Sequence, residues 1–405
     1  MNVFVIPSWY PSKDHPTTGI MIAEQYEAIS KANTAINIGV SIWGQMDNRF
    51  LLKASDHLKN LPKLTATKES HTITKSPNLK VYHTPAFTWS RKLFKGNFDK
   101  IVKANLRNLK AFERDFGPVQ LLHAHVGHPA GNIALEVARQ TNLPFCLTEH
   151  MGPFPSPYAT NKQGLLTAFH RSPYMASAVN IAVSPFQKKM MEQQGISNIV
   201  TVSNFIDEDY FQPAPPLPRT DSTFTFFTFT RLVDGKGIED LLHATKALLN
   251  KGVKVRLRIG GTGQKAIYYR QLAEGLEISE KIEWLGELSR EAALWEYQKC
   301  DAFVLPSYYE SFGIVYIEAL ACGKPIIATK CGGPETIVNE LNGLLIDKGS
   351  PVALAEAMQH MTENAGRYDS AIIRQDFLTR FSKKTIIPQL VALYQKVITQ
   401  HKSTL

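Results

Sequence analysis

The sequence predicts an α/β protein made of two doubly wound domains with a cleft between them, and three observations predict it. The chain has 405 residues, more than one hydrophobic core usually organises, so two domains of roughly 150 to 200 residues are expected. Short apolar runs alternate with longer helix-periodic segments, and this rhythm occurs twice. A proline-rich, aperiodic stretch separates the two series.

In chain order the first series is NVFVIP (2–7), INIGVSIW (36–43), VQLLHAHV (119–126), LPFCLTEH (143–150) and VNIAVS (179–184). Apolar runs of this length between helical patterns indicate buried parallel strands in βαβ units. The second series is TFTFFTFTRL (223–232), VKVRLRIGG (253–261), KIEWLG (281–286), CDAFVLPS (300–307) and KPIIATK (324–330). SNFIDEDYFQPAPPLPRTDS (203–222) lies between them. The expected division is a domain over 1–203, a linker over 204–222, a second domain over 223–384 and a closing helix over 385–405 that packs back toward the first domain. Open parallel sheets bind ligands at the carboxyl ends of their strands, so functional residues are sought there.

With 44% hydrophobic and 20% charged residues, the composition excludes a fibrous or disordered chain. The opening MNVFVIPSWYP lacks a basic leader, and no run approaches the ~20 apolar residues of a membrane span, so a cytoplasmic protein is expected. Cys146, Cys300, Cys322 and Cys331 form no CxxC pair and read as buried thiols. The net charge of +9 is uneven: residues 1–205 hold 22 Lys and Arg against 12 Asp and Glu, and residues 206–405 hold 23 against 24. The excess peaks in RKLFKGNFDKIVKANLRNLK (91–110), seven bases to one acid, where Phe94, Phe98, Ile101, Val102, Leu106 and Leu109 recur at helical spacing. This basic amphipathic helix either docks peripherally on an anionic inner-membrane surface or packs its apolar stripe on its own domain. No recognition motif accompanies the charge, so nucleic acid is not an expected partner.

Several strand-end groups carry chemistry. His123, His125 and His128 have a metal-like spacing, but no carboxylate or cysteine completes the set, and a strand-end histidine equally binds a hydroxylated or anionic ligand. Asp207-Glu208-Asp209 spells D-x-D, yet stands in the linker where acidic residues commonly form turns. IGGTGQK (259–265) is either a phosphate-approaching loop, with Gly261 against the ligand, or a glycine turn closing nearby. TRLVDGKG (230–237) sets Arg231 and Lys236 at a βα turn before a helix N-terminus, a combination suited to a phosphate or diphosphate. In ESFGIVYIE (310–318), Glu310 lies in a strand-to-helix loop and Glu318 inside the helix. At ~1.5 Å rise per residue the two carboxylates are not forced together, so they are not a shared-proton pair.

These ordered elements resemble the retaining nucleotide-sugar glycosyltransferases of family GT4, which have the GT-B fold of two facing Rossmann-like domains. ESFGIVYIE resembles the family's E-x7-E element; CGGPETI, TRLVDGKG, VKVRLRIGGTGQ and KIEWLGEL stand in matching order, and IPSWYPSKDHPTTGI and LLHAHVGHPAG resemble its N-terminal loop and histidine segment. The resemblance implies transfer of a hexose or N-acetylhexosamine from a nucleoside diphosphate-sugar to a hydroxyl of a lipid-linked or cell-envelope glycan. A nucleotide-sugar epimerase or hydrolase, or a non-catalytic binding subunit, are the alternatives. It further implies that Glu318 holds the ribose and Glu310 the donor sugar. Amides from Phe312 through Gly313 and Ile314 to Val315 contact sugar and phosphate, and Gly261 lies on the donor. Arg231 and Lys236 bind the diphosphate, so no metal or other cofactor is required. Gly19 admits the phosphates, although PTTGI has one glycine where many relatives have two. His125 stands near the reacting centre and His150 on the acceptor side.

Overall fold

The computed structural model describes residues 1–45, 47–52, 63, 69–89, 94–215 and 222–404. The chain divides into two compact units. The first comprises Met1–Val183, Lys188–Val202 and Ile387–Leu405; the second comprises Ser184–Gln187 and Ser203–Ile386. Residues 203–215, read from the sequence as linker, thus belong to the second unit, and 216–221 lie outside the described residues.

The first unit runs β1 (Asn2–Pro7), α1 (Ile20–Ala32), β2 (Asn37–Ile42), β3 (His71–Ser76), β4 (Leu79–His83), α2 (Phe98–Phe116), β5 (Leu121–His125), α3 (Asn132–Thr141), β6 (Phe145–Glu149), α4 (Ala168–Ala176), β7 (Val179–Ala182), α5 (Pro185–Gln193) and β8 (Ile199–Thr201). Its eight strands are ordered β3-β4-β2-β1-β5-β6-β7-β8. All neighbours are parallel except β3, which runs antiparallel to β4. The apolar runs expected to be strands are strands. The β3–β4 hairpin, β8 and, in the second unit, β14 were not expected. His71 to Lys75 of β3 are exposed and read HTITK, a polar edge strand with no apolar run to announce it.

Strand alternation puts apolar residues on both faces of this sheet. Phe4, Ile6, Leu122 and Ala124 join Phe112 of α2 in one core, while Val3, Val5, His123 and His125, also fully buried, alternate with them. Helix α2 settles where the apolar stripe of the basic segment goes. Ile101, Val102, Leu109 and Phe112 are buried in the unit's own core, with Phe98 and Leu106 packed against it. The apolar edge on which the membrane-docking alternative drew is therefore occupied. Lys100, Lys103, Arg107, Lys110 and Arg114 form the exposed side of the helix; residues 91–93 of that segment lie outside the described residues.

The second unit runs β9 (Phe224–Phe229), α6 (Ile238–Asn250), β10 (Val255–Gly260), α7 (Ala266–Gly275), β11 (Ile282–Gly286), α8 (Arg290–Lys299), β12 (Ala302–Leu305), α9 (Ile314–Ala321), β13 (Ile326–Thr329), β14 (Gly343–Ile346), α10 (Pro351–Glu363), α11 (Ser370–Phe381) and the start of α12 (Lys383–Thr404). Its strands are all parallel, ordered β11-β10-β9-β12-β13-β14. The order reverses between β9 and β12 here, and between β1 and β5 in the first unit. Such switch points open a crevice at the carboxyl ends of the strands. The loops carrying Arg231 and Glu310 leave one of them; those carrying Gly19 and following His125 leave the other. All four cysteines are buried, and among the described residues no helix is long and apolar enough to cross a membrane.

Candidate active site

At the switch point of the second unit, the loops after β9 and β12 meet through an ion pair. Lys236 Nζ donates to Glu310 Oε1 at 2.7 Å, and the Ser307 hydroxyl donates to the same oxygen at 2.8 Å. The pair is partly exposed, at 25% for the lysine side chain and 14% for the glutamate, so its charges are accessible to a ligand. Arg231, two residues beyond β9, is exposed. Gly237 caps α6 and Gly313 caps α9, both in the left-handed region. The first-turn amides of those helices have no acceptor within their own helix, which suits an anion.

The Glu310 loop is held from the other side by Cys331-Gly332-Gly333. The Glu310 amide donates to the Cys331 carbonyl at 3.3 Å, and the Gly333 amide to the Glu310 carbonyl at 2.8 Å. Ser184, which belongs to this unit, donates its hydroxyl to the Ser311 carbonyl at 2.6 Å. Glu318 lies one turn and more inside α9 and is 8% exposed; the Tyr297 hydroxyl of α8 donates to its Oε2 at 2.8 Å. Burial, then Glu318, holds the Tyr297 phenol well above its ordinary range, so it stays a donor. In IGGTGQK, Gly261 has φ +115°, and a Cβ there would stand 1.8 Å from the Thr230 carbonyl oxygen. The glycine lets two strand-end loops touch, and so places the loop beside Arg231.

The first unit carries the histidines. Gly19 (φ +73°) caps α1, and a Cβ would stand 2.6 Å from the Trp9 backbone. That close turn sets the direction of α1, which brings Tyr26 beneath the sheet edge. The Tyr26 hydroxyl lies 2.7 Å from His123 Nδ1 and 2.7 Å from His125 Nε2. His123 Nδ1 also meets the Tyr394 hydroxyl of α12 at 2.6 Å, and His123 Nε2 meets Thr148 Oγ1 at 2.8 Å. His125 Nδ1 and His150 Nε2 are 2.9 Å apart, their rings inclined by only 7°. Both nitrogens of His125 are therefore engaged by protein, and the residue is fully buried. The half-buried imidazole next in line is His150. The reason is strand alternation, which points residues 123 and 125 inward against α1 and α12 and leaves the loop after β6 to carry the next histidine.

His123 and His125 do not assemble a metal site with His128, whose Nδ1 meets Asn132 Oδ1 at 2.9 Å; among the described residues no cluster suited to a metal ion occurs. The D-x-D residues grip α12 instead, Asp207 and Asp209 pairing with Lys383 Nζ at 2.6 and 2.5 Å. Sequence reasoning missed Tyr26, Tyr394, Tyr297 and Glu149. Glu149 is buried, and its carboxylate accepts from the Gly127, His150 and Met151 amides at 3.0, 2.9 and 2.7 Å and from the Tyr174 hydroxyl. Burial raises its carboxyl above the ordinary range and these donors oppose the shift, so the backbone of the His150 loop is pinned at its root. TEHMG signals a charged residue at a strand end; nothing local signals the tyrosines.

Two Rossmann-like units, the second with Glu310 and Glu318 beside an anion-ready helix start, have the architecture of the GT-B glycosyltransferases. Residues 214–375 match the family of glycosyl transferases group 1, and residues 71–210 match Glycosyltransferase Family 4; the chain belongs to this family and is a transferase. It is 28% identical over 302 residues to the lipopolysaccharide core biosynthesis glycosyltransferase LpsD of Rhizobium meliloti, covering 73% of this chain and 79% of that one. It is 33% identical over 178 residues to a D-inositol 3-phosphate glycosyltransferase of Corynebacterium urealyticum, covering 42% of each. Among solved structures it resembles sucrose-phosphate synthase from Thermosynechococcus elongatus (TM-score 0.74, 18% identity, 98% of this chain and 99% of that chain). It also resembles Anabaena HepE in complex with UDP (TM-score 0.69, 18% identity, 98% of this chain and 100% of that chain).

Proposed function

We propose that the enzyme transfers a hexose or N-acetylhexosamine from a nucleoside diphosphate-sugar, with retention, to a hydroxyl of a cell-envelope glycan such as a lipopolysaccharide or lipid-linked acceptor. The observation that carries this is Glu310, held by Lys236 and Ser307 at the switch point beside the start of α9. Glu310 takes donor-sugar hydroxyls, and Glu318, braced by Tyr297, takes the ribose. Phe312 to Val315 offer backbone amides to sugar and phosphate. Arg231 and Lys236 neutralise the diphosphate as the anomeric C–O bond breaks, doing with fixed cations what a divalent metal does elsewhere. The new bond forms to the acceptor oxygen on the face the diphosphate leaves, and the acceptor proton goes to a phosphate oxygen. No protein base is needed; positioning supplies much of the rate. His150 serves the acceptor side, and the Gly19 turn lets a ligand approach the backbone.

The UDP bound in the HepE structure supports a nucleoside diphosphate donor, and the lipopolysaccharide role of LpsD supports the acceptor class. The cationic side of α2 supports peripheral contact with an anionic acceptor-bearing surface. The test is a nucleotide-sugar panel with envelope glycolipid extracts in the presence of chelator, the anomeric configuration of the product being read by NMR. Retention with free nucleoside diphosphate is expected. Inversion, an absolute requirement for divalent metal, or turnover of donor without any acceptor would overturn the proposal.

A further inference from the structure

Ser184 stands between two hydrogen bonds whose direction is fixed. Its hydroxyl oxygen accepts from the Gln187 amide at 3.1 Å, the bond of an N-cap residue at the start of α5. Its one proton goes to the Ser311 carbonyl at 2.6 Å, because a carbonyl can only accept. Among the described residues that carbonyl has no other donor. Ser184 is fully buried and Ser311 is 7% exposed, so losing the bond leaves the carbonyl short of partners. Ser184 to Gln187 belong to the same unit as the Glu310 loop. Phe186 holds them against it, its ring meeting Tyr309 edge-on with centroids 5.5 Å apart.

The flanks of the Ser311–Phe312 peptide are fixed by other contacts. Glu310 is tied to Cys331 and Gly333 through its amide and carbonyl. Phe312 is 2% exposed, its ring packs edge-on against Phe381, and a Cβ on Gly333 would stand 2.3 Å from its Cα. These contacts leave free a rotation of the peptide plane between them, and the Ser184 hydroxyl removes it. The peptide is trans, so its N–H points away from its C=O. With the carbonyl drawn to Ser184, the Phe312 amide faces the other way, where no described residue accepts from it. We infer that Ser184 is the positioning residue that aims the Phe312 amide at an oxygen of the donor sugar. The inference rests on the donor-site reading of the Glu310 loop. Phe312 is two residues from Glu310 and precedes α9, so its amide serves the sugar, whereas those of Ile314 and Val315 at the helix start suit the phosphate. Ser184 itself is placed on no substrate.

Ser311-Phe312 is the only Ser-Phe pair in the chain. With 13C-carbonyl serine and 15N-phenylalanine in the deuterated full chain, a carbonyl–amide correlation spectrum therefore holds one signal, which reports this peptide alone. In Ser184→Ala its carbonyl shift is expected to move upfield as the hydroxyl bond is lost, and in Ser184→Thr to return toward wild type. An unmoved Ser184→Ala signal overturns the inference. Binding of UDP-glucose, UDP-N-acetylglucosamine and GDP-mannose, each against its free nucleotide, reads what the amide holds. For the donor that wild type binds, Ser184→Ala is expected to weaken the nucleotide-sugar about threefold to tenfold, the scale of one hydrogen bond, and to leave the free nucleotide within about twofold. Equal loss of both overturns the inference, since a disturbed fold does that, and so does an unchanged nucleotide-sugar affinity beside a moved signal. A wild type that binds none of the three overturns the donor reading, while the carbonyl signal still decides whether Ser184 sets the plane.

Discussion

The glutamate loop of the second unit and the histidine cluster of the first solve the same task in opposite ways. Each places polar groups at the carboxyl edge of a parallel sheet where the strand order reverses. In the second unit those groups are charged, partly exposed and tied by one ion pair, Lys236 to Glu310. In the first they are neutral, buried and tied by tyrosine and threonine hydroxyls. The ion pair is cheap to open, because a partly solvated pair contributes only about 0.2 to 1 kcal/mol to the fold; its charges can be turned to a ligand. The histidine cluster cannot be opened without leaving buried donors and acceptors unpaired. One region is built to exchange partners, the other to keep them.

The largest effect that would break this comparison is on transfer by the charged loop. On the proposed reading, Lys236→Ala removes a cation from the leaving diphosphate, and Glu310→Gln removes the charge that orients that lysine. Each is expected to lower kcat by about 100- to 1000-fold, the scale for losing one preorganised electrostatic group, with melting temperature within a degree or two of wild type. A full-rate variant, or one that melts like a core mutant, would show the loop to be structural.

A smaller effect, in stability, is expected from the neutral cluster. His123 is depressed to about 3 by burial, with His150 adding to the shift, against ~6.5 when unfolded. Between those values the unfolded chain binds the extra proton, so stability is full above pH ~6.5 and is lost as pH falls toward 3. From pH 7 to 5 the cost is about 2 kcal/mol for this histidine. In the second unit the histidines, His243 and His360, are exposed. Hydrogen exchange in peptides covering β5 should therefore accelerate at pH 5 relative to the intrinsic rate, while peptides covering β9 should not. Equal acceleration in both would erase the distinction drawn here.

The same contrast decides what was legible in the sequence. Glu310, Gly313 and Glu318 lie within nine consecutive residues, and a strand-loop-helix context fixes their spacing, so periodicity and local rules were enough. Arg231, Lys236 and their helix were readable for the same reason. The polar interior of the first unit depends on Tyr26 meeting a histidine 99 positions away and Tyr394 one 271 away. A tyrosine on an amphipathic helix reads as core and carries no sign of its partner. A strand-end histidine such as His125 reads the same whether it faces the crevice or the adjoining helix. Edge strands β3, β8 and β14 escaped because burial, the property that writes an apolar run, is what an edge lacks.

The smallest effect concerns the acidic run that resembles a metal motif. Lys383 Nζ pairs with Asp207 and Asp209, and Glu208 Oε2 accepts from the Lys383 amide at 2.9 Å, so three acids sit at the start of α12, where the helix dipole favours negative charge. The lysine that bridges two of them is itself at that end, where its charge opposes the dipole. Lys383→Ala therefore loses two partly exposed ion pairs but keeps the carboxylate–dipole contact, and is expected to cost no more than about 1 kcal/mol. Thermal unfolding should register that loss as a shift of a few degrees at most, and donor turnover should be unchanged with or without manganese. A Lys383→Ala enzyme that loses transfer and regains it with manganese would make these carboxylates a cation site, and would place the chemistry at the root of the last helix instead of at the Glu310 loop.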